Sequence, residues 1–281
     1  MSNIQYINDK DFKYSKDIKK GLHAYNQSQA GYREKDYQHF YVFDDKKLVG
    51  ASHTKMASDW CHIKKIYYQD LKTLKALMND IKKYYKNKVE GIRLQTVLPN
   101  RVDDYKKIGF IEKGKLADMP SGGENVFLLI TDMNYYEINK DYEKKSSDKP
   151  IKTYDKVLKK KNKKIRENLN FSSETIDIQY VVLDDGKFVG GIYGNFQYDY
   201  LFINILFVDK EYRGQNIASN LMDIIENEAL KRGVTNIYLT TFEFQALGFY
   251  KNRGYKKIIT IYDYPIGFDE YTVYKNFSSK D

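Results

Sequence analysis

Val208-Asp-Lys-Glu-Tyr-Arg-Gly-Gln-Asn-Ile-Ala-Ser219 is the stretch that decides how this chain folds. An apolar run, Leu201 to Val208, ends in it, and an amphipathic pattern, Ile217 to Lys231, begins in it. The first reads as a strand and the second as a helix. A strand that enters a helix through a short loop leaves the first-turn N–H groups unpaired and pointing one way. The helix dipole adds partial positive charge at the same spot. Such a terminus binds phosphates. Gly214 lets a ligand approach the backbone closely, and Ala218 in the first turn adds little bulk. Neither G-x-x-x-x-G-K-[ST] nor G-x-G-x-x-G occurs in the loop, which excludes the two commonest phosphate loops.

Arg213-Gly-Gln-Asn-Ile-Ala218 resembles motif A of the GNAT superfamily of acetyl-CoA-dependent N-acyltransferases, [QR]-x-x-G-x-[GA]. Arg213 and Ala218 match, and Asn216 stands where the pattern has glycine. Asn tolerates positive φ better than most non-glycine residues. Downstream, Phe244-Gln-Ala-Leu-Gly-Phe-Tyr-Lys-Asn-Arg-Gly-Tyr255 resembles motif B, A-x-x-F-Y-x-x-x-G-[FY], through Ala246, Phe249, Tyr250, Gly254 and Tyr255. Upstream, Tyr180–Leu183 and Lys187–Tyr193 read as strands joined by the hairpin signature Asp184-Asp185-Gly186. A late Asp263-Tyr-Pro-Ile-Gly267 fits the same family, and the resemblance spans roughly residues 175 to 277.

The first half is a shadow of the second. Asp44-Asp45 and Val49-Gly50 precede Asp184-Asp185 and Val189-Gly190 by 184 − 44 = 140 residues. Tyr105-Lys-Lys-Ile-Gly-Phe110 precedes Tyr250-Lys-Asn-Arg-Gly-Tyr255 by 250 − 105 = 145, and Pro120-Ser-Gly122 precedes Pro265-Ile-Gly267 by the same 145. The first copy is thus 145 − 140 = 5 residues shorter between the two sets of landmarks. The loss falls at motif A, where Gln69-Asp-Leu-Lys72 joins strand to helix with no Arg-Gly loop. A repeat of this length is a domain-sized unit. The expected fold is therefore α/β (α+β), with two tandem GNAT domains, each a mixed, mostly antiparallel twisted sheet flanked by helices. Residues 1–132 form a degenerate copy and 133–281 the catalytic one, with 140–150 a flexible basic segment between them.

Bulk properties are consistent with that reading. One cysteine, Cys61, rules out an intramolecular disulfide and points to a reducing, cytoplasmic setting. No apolar run approaches membrane-spanning length, and the first residues lack a signal-peptide core. Residues 140–170 hold twelve Lys/Arg and five Asp/Glu, so 12 − 5 = 7 of the chain's formal +9 is local. A solvated lysine-rich helix face accounts for it. No zinc finger, RNP strand or helix-turn-helix signature supports nucleic acid as a partner. Cys61 and His62 are neighbours on a strand and face opposite ways, which argues against a metal site.

The resemblance also implies a chemistry: acetyl-CoA as co-substrate, an amine acceptor that is a small molecule or a protein amino group, and no metal. Phe207 and Val208 are expected to pair with the pantetheine arm, a backbone N–H there polarising the thioester carbonyl. The amides of Gln215, Asn216, Ala218 and Ser219, in the turn from Gly214 through Ile217, take the pyrophosphate with Arg213 beside them, and Phe249 supplies apolar bulk. Tyr250 occupies the motif B position that protonates the CoA sulfur. The base is open: Asn204 holds the usual strand position, and Asp199 and Glu243 are the nearby carboxylates. All four histidines lie in the first half. Two other readings stay open, a non-catalytic acyl-CoA sensor or interaction protein and acyl transfer from aminoacyl-tRNA. Oligomeric state is open as well.

Overall fold

A computed structural model describes residues 3–31, 34–96, 98–116, 126–138, 140–167, 175–197 and 199–278. The Pro120-Ser-Gly122 landmark lies outside them. The first part of the chain runs β1 (Ile4–Asn8), α1 (Ser15–Ala30), β2 (Glu34–Asp44), β3 (Lys47–Ala57), β4 (Trp60–Tyr68), α2 (Leu71–Tyr85), β5 (Gly91–Thr96), α3 (Pro99–Lys107), β6 (Ile111–Leu116) and β7 (Val126–Thr131). The second runs β8 (Glu143–Ser147), α4 (Lys152–Glu167), β9 (Thr175–Asp184), β10 (Lys187–Gln197), β11 (Tyr200–Val208), a single 3₁₀ turn (Lys210–Tyr212), α5 (Ile217–Lys231), β12 (Asn236–Phe242), α6 (Leu247–Asn252), β13 (Lys256–Ile261) and β14 (Glu270–Asn276). No described helix is long and apolar enough to cross a membrane.

Two seven-stranded sheets result, ordered β6-β7-β5-β4-β3-β2-β8 and β1-β9-β10-β11-β12-β14-β13. Pairing is antiparallel except at β4/β5 and β11/β12. The parallel pairs match copy to copy: Trp60↔Gly91 through Ile63↔Leu94, and Tyr200↔Asn236 through Ile203↔Leu239. Both longer strands, β4 and β11, run on beyond those pairs, so each sheet splays open there. A bulge falls at His53/Thr54 in one sheet and at Tyr193/Gly194 in the other, again 193 − 53 = 140 apart. A bulge bends its strand and increases local twist, and here both precede the splay. The cores are built alike. Leu74, Leu77, Met78, Ile81 and Tyr85 of α2 pack on the first sheet, and Ile217, Leu221, Met222, Ile225 and Ala229 of α5 on the second, each set spaced as one helix face.

The sheets do not follow the chain order expected of them. β1 pairs with β9, in the second sheet, and β8 pairs with β2, in the first. The helices travel with their strands: Ile18 of α1 packs with Val181 and Leu183, and Leu158 of α4 with Tyr41, Phe43 and Ala51. The two copies have exchanged their opening strand–helix units, so a cut at 132/133 divides neither sheet cleanly. The lysine-rich composition of residues 140–150 reads as a flexible segment. Instead they carry β8, whose backbone pairs from His39↔Ser147 to Phe43↔Glu143. Edge pairing satisfies backbone groups that the lysine-rich composition does not reveal. The lysines of α4 do line its solvent face, Leu158 alone being fully buried among that helix's described side chains.

The halves also meet directly. Trp60 packs with Phe242, Ile259, Ile261 and Tyr264, and Leu116 with Tyr200 and Tyr238. Gly114 of β6 sits so close to β13 that an added Cβ would lie 2.5 Å from Ile259. Arg93 of β5 and Glu270 of β14 form an ion pair at 2.7 Å with 7% and 8% of their side chains exposed.

Candidate functional site

The two splays face one another across a single cleft of about 1130 Å³. Its second-half wall holds Asn204–Val208, Arg213, Ala218, Phe249 and Tyr250. Its first-half wall holds residues 62–68, Arg93 and Arg101, and α1 closes one side through Lys19, His23 and Tyr25.

The two helix starts at this cleft differ in chemistry. At α2, Asp70 is the N-cap and its carboxylate accepts from Thr73 N at 2.8 Å. That carboxylate satisfies an orphan amide and places negative charge where a phosphate would sit. At α5, Asn216 is the N-cap, in the left-handed region at φ 60°, and its side chain caps nothing. Gly214 adopts φ 78°, and nothing lies within 4 Å of a Cβ built there. The turn from Gly214 to Asn216 is therefore exposed, and the first-turn amides of α5 remain for a ligand. Arg213 Nε donates to Val208 O at 3.2 Å, and the guanidinium sits 4.9 Å from the centre of the Tyr25 ring. Ile217 is buried in the core, with Ala218 and Ser219 half-buried beside the turn.

Phe207 stacks on Phe188 and lies under α1, where a Cβ on Gly21 would come within 2.4 Å of its ring. Only a glycine lets α1 approach this closely. Tyr250 is 7% exposed and sits against Phe249 and Tyr255, at ring distances of 5.2 and 5.9 Å. Burial pushes its hydroxyl well above the usual tyrosine range, so it stays protonated. Tyr105, at the matching position of the first copy, is buried against Tyr68, which hydrogen-bonds Asp104 at 3.0 Å and lies under Arg101 at 3.9 Å. Tyr68 stands where the second copy has Val208, so a bulky side chain occupies the first splay.

The three base candidates do not converge. Asn204 is the extra residue of the β11 bulge, exposed and facing the cleft, but an amide is no base. Asp199 lies at the opposite end of β11 from Val208, 3.5 Å from the Asn236 amide and off the cleft lining. Glu243 is exposed and accepts from Asp269 N at 3.2 Å, closing the turn before β14. Neither carboxylate meets the Tyr250 wall.

Other groups meet there that sequence reasoning missed. His62 Nε2 and the Tyr264 hydroxyl lie 2.8 Å apart, across the junction of the halves. Burial, and then Arg93, hold His62 well below its usual pKa, so it is neutral. The Arg93 guanidinium is 5.0 Å from the Tyr264 ring centre. Gln245 donates to Asn26 at 2.7 Å and accepts from Phe242 N, while Tyr25 donates to Phe244 O at 2.9 Å, which ties motif B to α1. Only the repeat hinted at these contacts, because a cleft between two copies needs residues from both.

The sequence model of the acetyltransferase (GNAT) family matches residues 136–255. Blasticidin-S acetyltransferase of Streptomyces morookaense is 33% identical over 97 residues, which cover 34% of this chain and 71% of that protein. The chain belongs to the GNAT family of acetyltransferases. An acetyltransferase of Agrobacterium fabrum is 39% identical over 75 residues, 27% of this chain and 55% of that protein. A crystal structure of an acetyltransferase from Bacillus cereus aligns at 29% identity and TM-score 0.41, covering 46% of this chain and 94% of that one. The protein is thus a GNAT acyltransferase, and acyl-CoA is its co-substrate. The family match begins at residue 136, so it takes in β8, which this GNAT chain pairs into its first sheet, and α4, which packs on that sheet.

Proposed function

We propose that the chain transfers an acetyl group from acetyl-CoA to a primary amine by direct attack, at the β11/β12 splay alone. The observation that carries this is the contrast between the two helix starts: the α5 turn is open and the α2 turn is closed by Asp70. In this reading the amides from Gly214 to Ser219 hold the pyrophosphate, with Arg213 beside them. Phe207 and Val208 flank the pantetheine arm. The amine nitrogen attacks the thioester carbon, the C–N bond forms and the C–S bond breaks. Tyr250 gives its proton to the departing sulfur, and the amine's surplus proton leaves through water, because Asp199 and Glu243 lie off the cleft lining and Glu270, which is on it, is ion-paired with Arg93. Positive groups around the cleft favour the neutral, attacking form of a bound amine.

Thiol detection of released CoA over a panel of amines tests the reading. Turnover with at least one amine, strongly reduced in Tyr250→Phe, supports it. Glu270, the second-half carboxylate among the described cleft-lining residues, is engaged by Arg93, which gives a non-catalytic acyl-CoA-binding role its one foothold. Binding of acetyl-CoA with no turnover on any amine would favour that role.

A further inference from the structure

His62 and Tyr264 meet across the junction of the halves, Nε2 and hydroxyl 2.8 Å apart. The repeated scaffold does not require this pair. At the equivalent positions stand Phe202, 202 − 62 = 140 residues on, and Met119, 264 − 119 = 145 residues back. Both are apolar, so packing alone does not call for an imidazole and a hydroxyl. On β4, Cys61 and Ile63 point into the core of the first half. His62 between them faces the other way, half-buried, onto the cleft. Tyr264 lies behind it, 1% exposed, held by Trp60 and Phe242 at ring distances of 6.0 and 5.7 Å. Phe242 ends β12 beyond that strand's last pair with β11, Ile203↔Leu239, and Ala246 caps α6, which carries Tyr250. The pair therefore stands on the β12 side of the splay where the acetyl group would be transferred.

The two ring nitrogens of His62 have different surroundings. Nε2 meets the Tyr264 hydroxyl. Nδ1 has no partner among the described residues and is not sealed from solvent. With Nε2–H donating to the Tyr264 oxygen, Nδ1 keeps a lone pair open to the cleft. Burial first, and then Arg93, Lys64 and Lys55, oppose a proton on this ring, and Glu270 is taken up by Arg93 at 2.7 Å. The imidazole is thus neutral at rest, and a proton it gains is soon passed on. His23, the other histidine on the described lining, stands on α1.

Resting on the acetyl-transfer reading, we propose that His62 Nδ1 receives the attacking amine's surplus proton, and that Tyr264 is the positioning residue that fixes the His62 tautomer. The amine nitrogen, once bonded to the acetyl carbon, loses a proton to water, and that water gives one to Nδ1. His62 becomes an imidazolium, Nε2–H stays on the Tyr264 oxygen, and the proton returns to solvent through the cleft. The first half then completes the site: the second copy holds the cofactor and the acid, and the first supplies the base.

The test uses the full chain saturated with acetyl-CoA, with CoA release followed over ethanolamine, spermidine, lysine and kanamycin. The pH dependence of kcat on the best of these is compared for the wild type, His62→Gln, Tyr264→Phe and His23→Gln. His62→Gln should lower kcat about 100-fold or more, hold the acetyl-CoA Kd within about twofold, and steepen the rise of kcat by about tenfold per pH unit, because hydroxide then takes the proton. A merely structural role would not change that slope. Tyr264→Phe keeps the ring among Trp60 and Phe242 and should lower kcat by less, about tenfold, while His62 loses its single tautomer. Long-range ¹H–¹⁵N spectra of the wild type should show His62 neutral and protonated on Nε2. A folded His62→Gln with the wild-type slope, a slope that changes in His23→Gln instead, or a His62 ring protonated on Nδ1 overturns the proposal and leaves acetyl transfer intact. CoA release from no amine, in a chain that binds acetyl-CoA, removes acetyl transfer itself and the proton step with it.

Discussion

Arg93→Met should destabilise the protein as a whole, although it removes only one side chain from the cleft wall. Arg93 and Glu270 sit 2.7 Å apart with 7% and 8% of their side chains exposed, one from each sheet. Removing the guanidinium strands the Glu270 carboxylate away from water. Breaking a buried pair in this way costs roughly 3–5 kcal/mol. Loss of the contact with the Tyr264 ring adds about 0.5–1 kcal/mol. For a chain of this size each kcal/mol lowers Tm by about 2–4 °C, which predicts a fall of roughly 7–24 °C. The double variant Arg93→Met/Glu270→Gln removes both charges and should recover most of the loss. Thermal melts of the wild type, both single variants and the double variant close a mutant cycle. A single-variant loss below about 1 kcal/mol, or two losses that simply add, would refute the claim that this pair joins the two halves in a dry environment.

Tyr250→Phe should lower kcat about 100-fold or more while acetyl-CoA Kd stays nearly constant, because it removes the acid and little of the cofactor contact; an unchanged kcat on a good acceptor would remove Tyr250 from the chemistry. Stability should fall as pH drops from about 6.5 to about 4. His53 is held at about 4 by burial and by the neighbouring His39, so its neutral form is the one the fold favours. That contribution is complete above the unfolded value near 6.5 and is lost as pH falls through the folded one. His39 shifts the same way, and His53→Gln should flatten the acid limb of a Tm–pH curve. Residues 133–281 expressed alone should fail to form a stable fold, since β9 loses β1, Gln179 loses Asp9 and motif B loses α1. A soluble fragment with a cooperative melt would contradict the exchange of strand–helix units.

Much of this was legible in the sequence. Motif A fixed a strand, a loop and a helix start at Val208–Ser219, and the structure has β11, a turn and α5 there. The repeat offsets of 140 and 145 recur strand for strand, because hairpin turns such as Asp184-Asp185-Gly186 are local signals. The exchange of β1–α1 with β8–α4 was not legible. β1 and β8 are both five-residue edge strands, and the choice of sheet rests on long-range contacts such as Asp9 with Gln179. The base candidates misled for a related reason. Asp199 and Glu243 border the right strands, but their direction and partners, Asn236 and Asp269, are tertiary facts. His62 belongs to the first half, and it reaches the cleft because both halves line it.

Calorimetric titration of the full chain with acetyl-CoA tests the central claim most directly. One equivalent should bind. Asp70 closes the α2 turn and Tyr68 fills the first splay, while the α5 turn is open. Ala218→Asp should raise the Kd by at least about 100-fold without unfolding the chain. An added carboxylate in the first turn favours the helix dipole yet repels a pyrophosphate held by the same amides. A stoichiometry of two, or an Ala218→Asp variant that folds and binds acetyl-CoA as the wild type does, would contradict it.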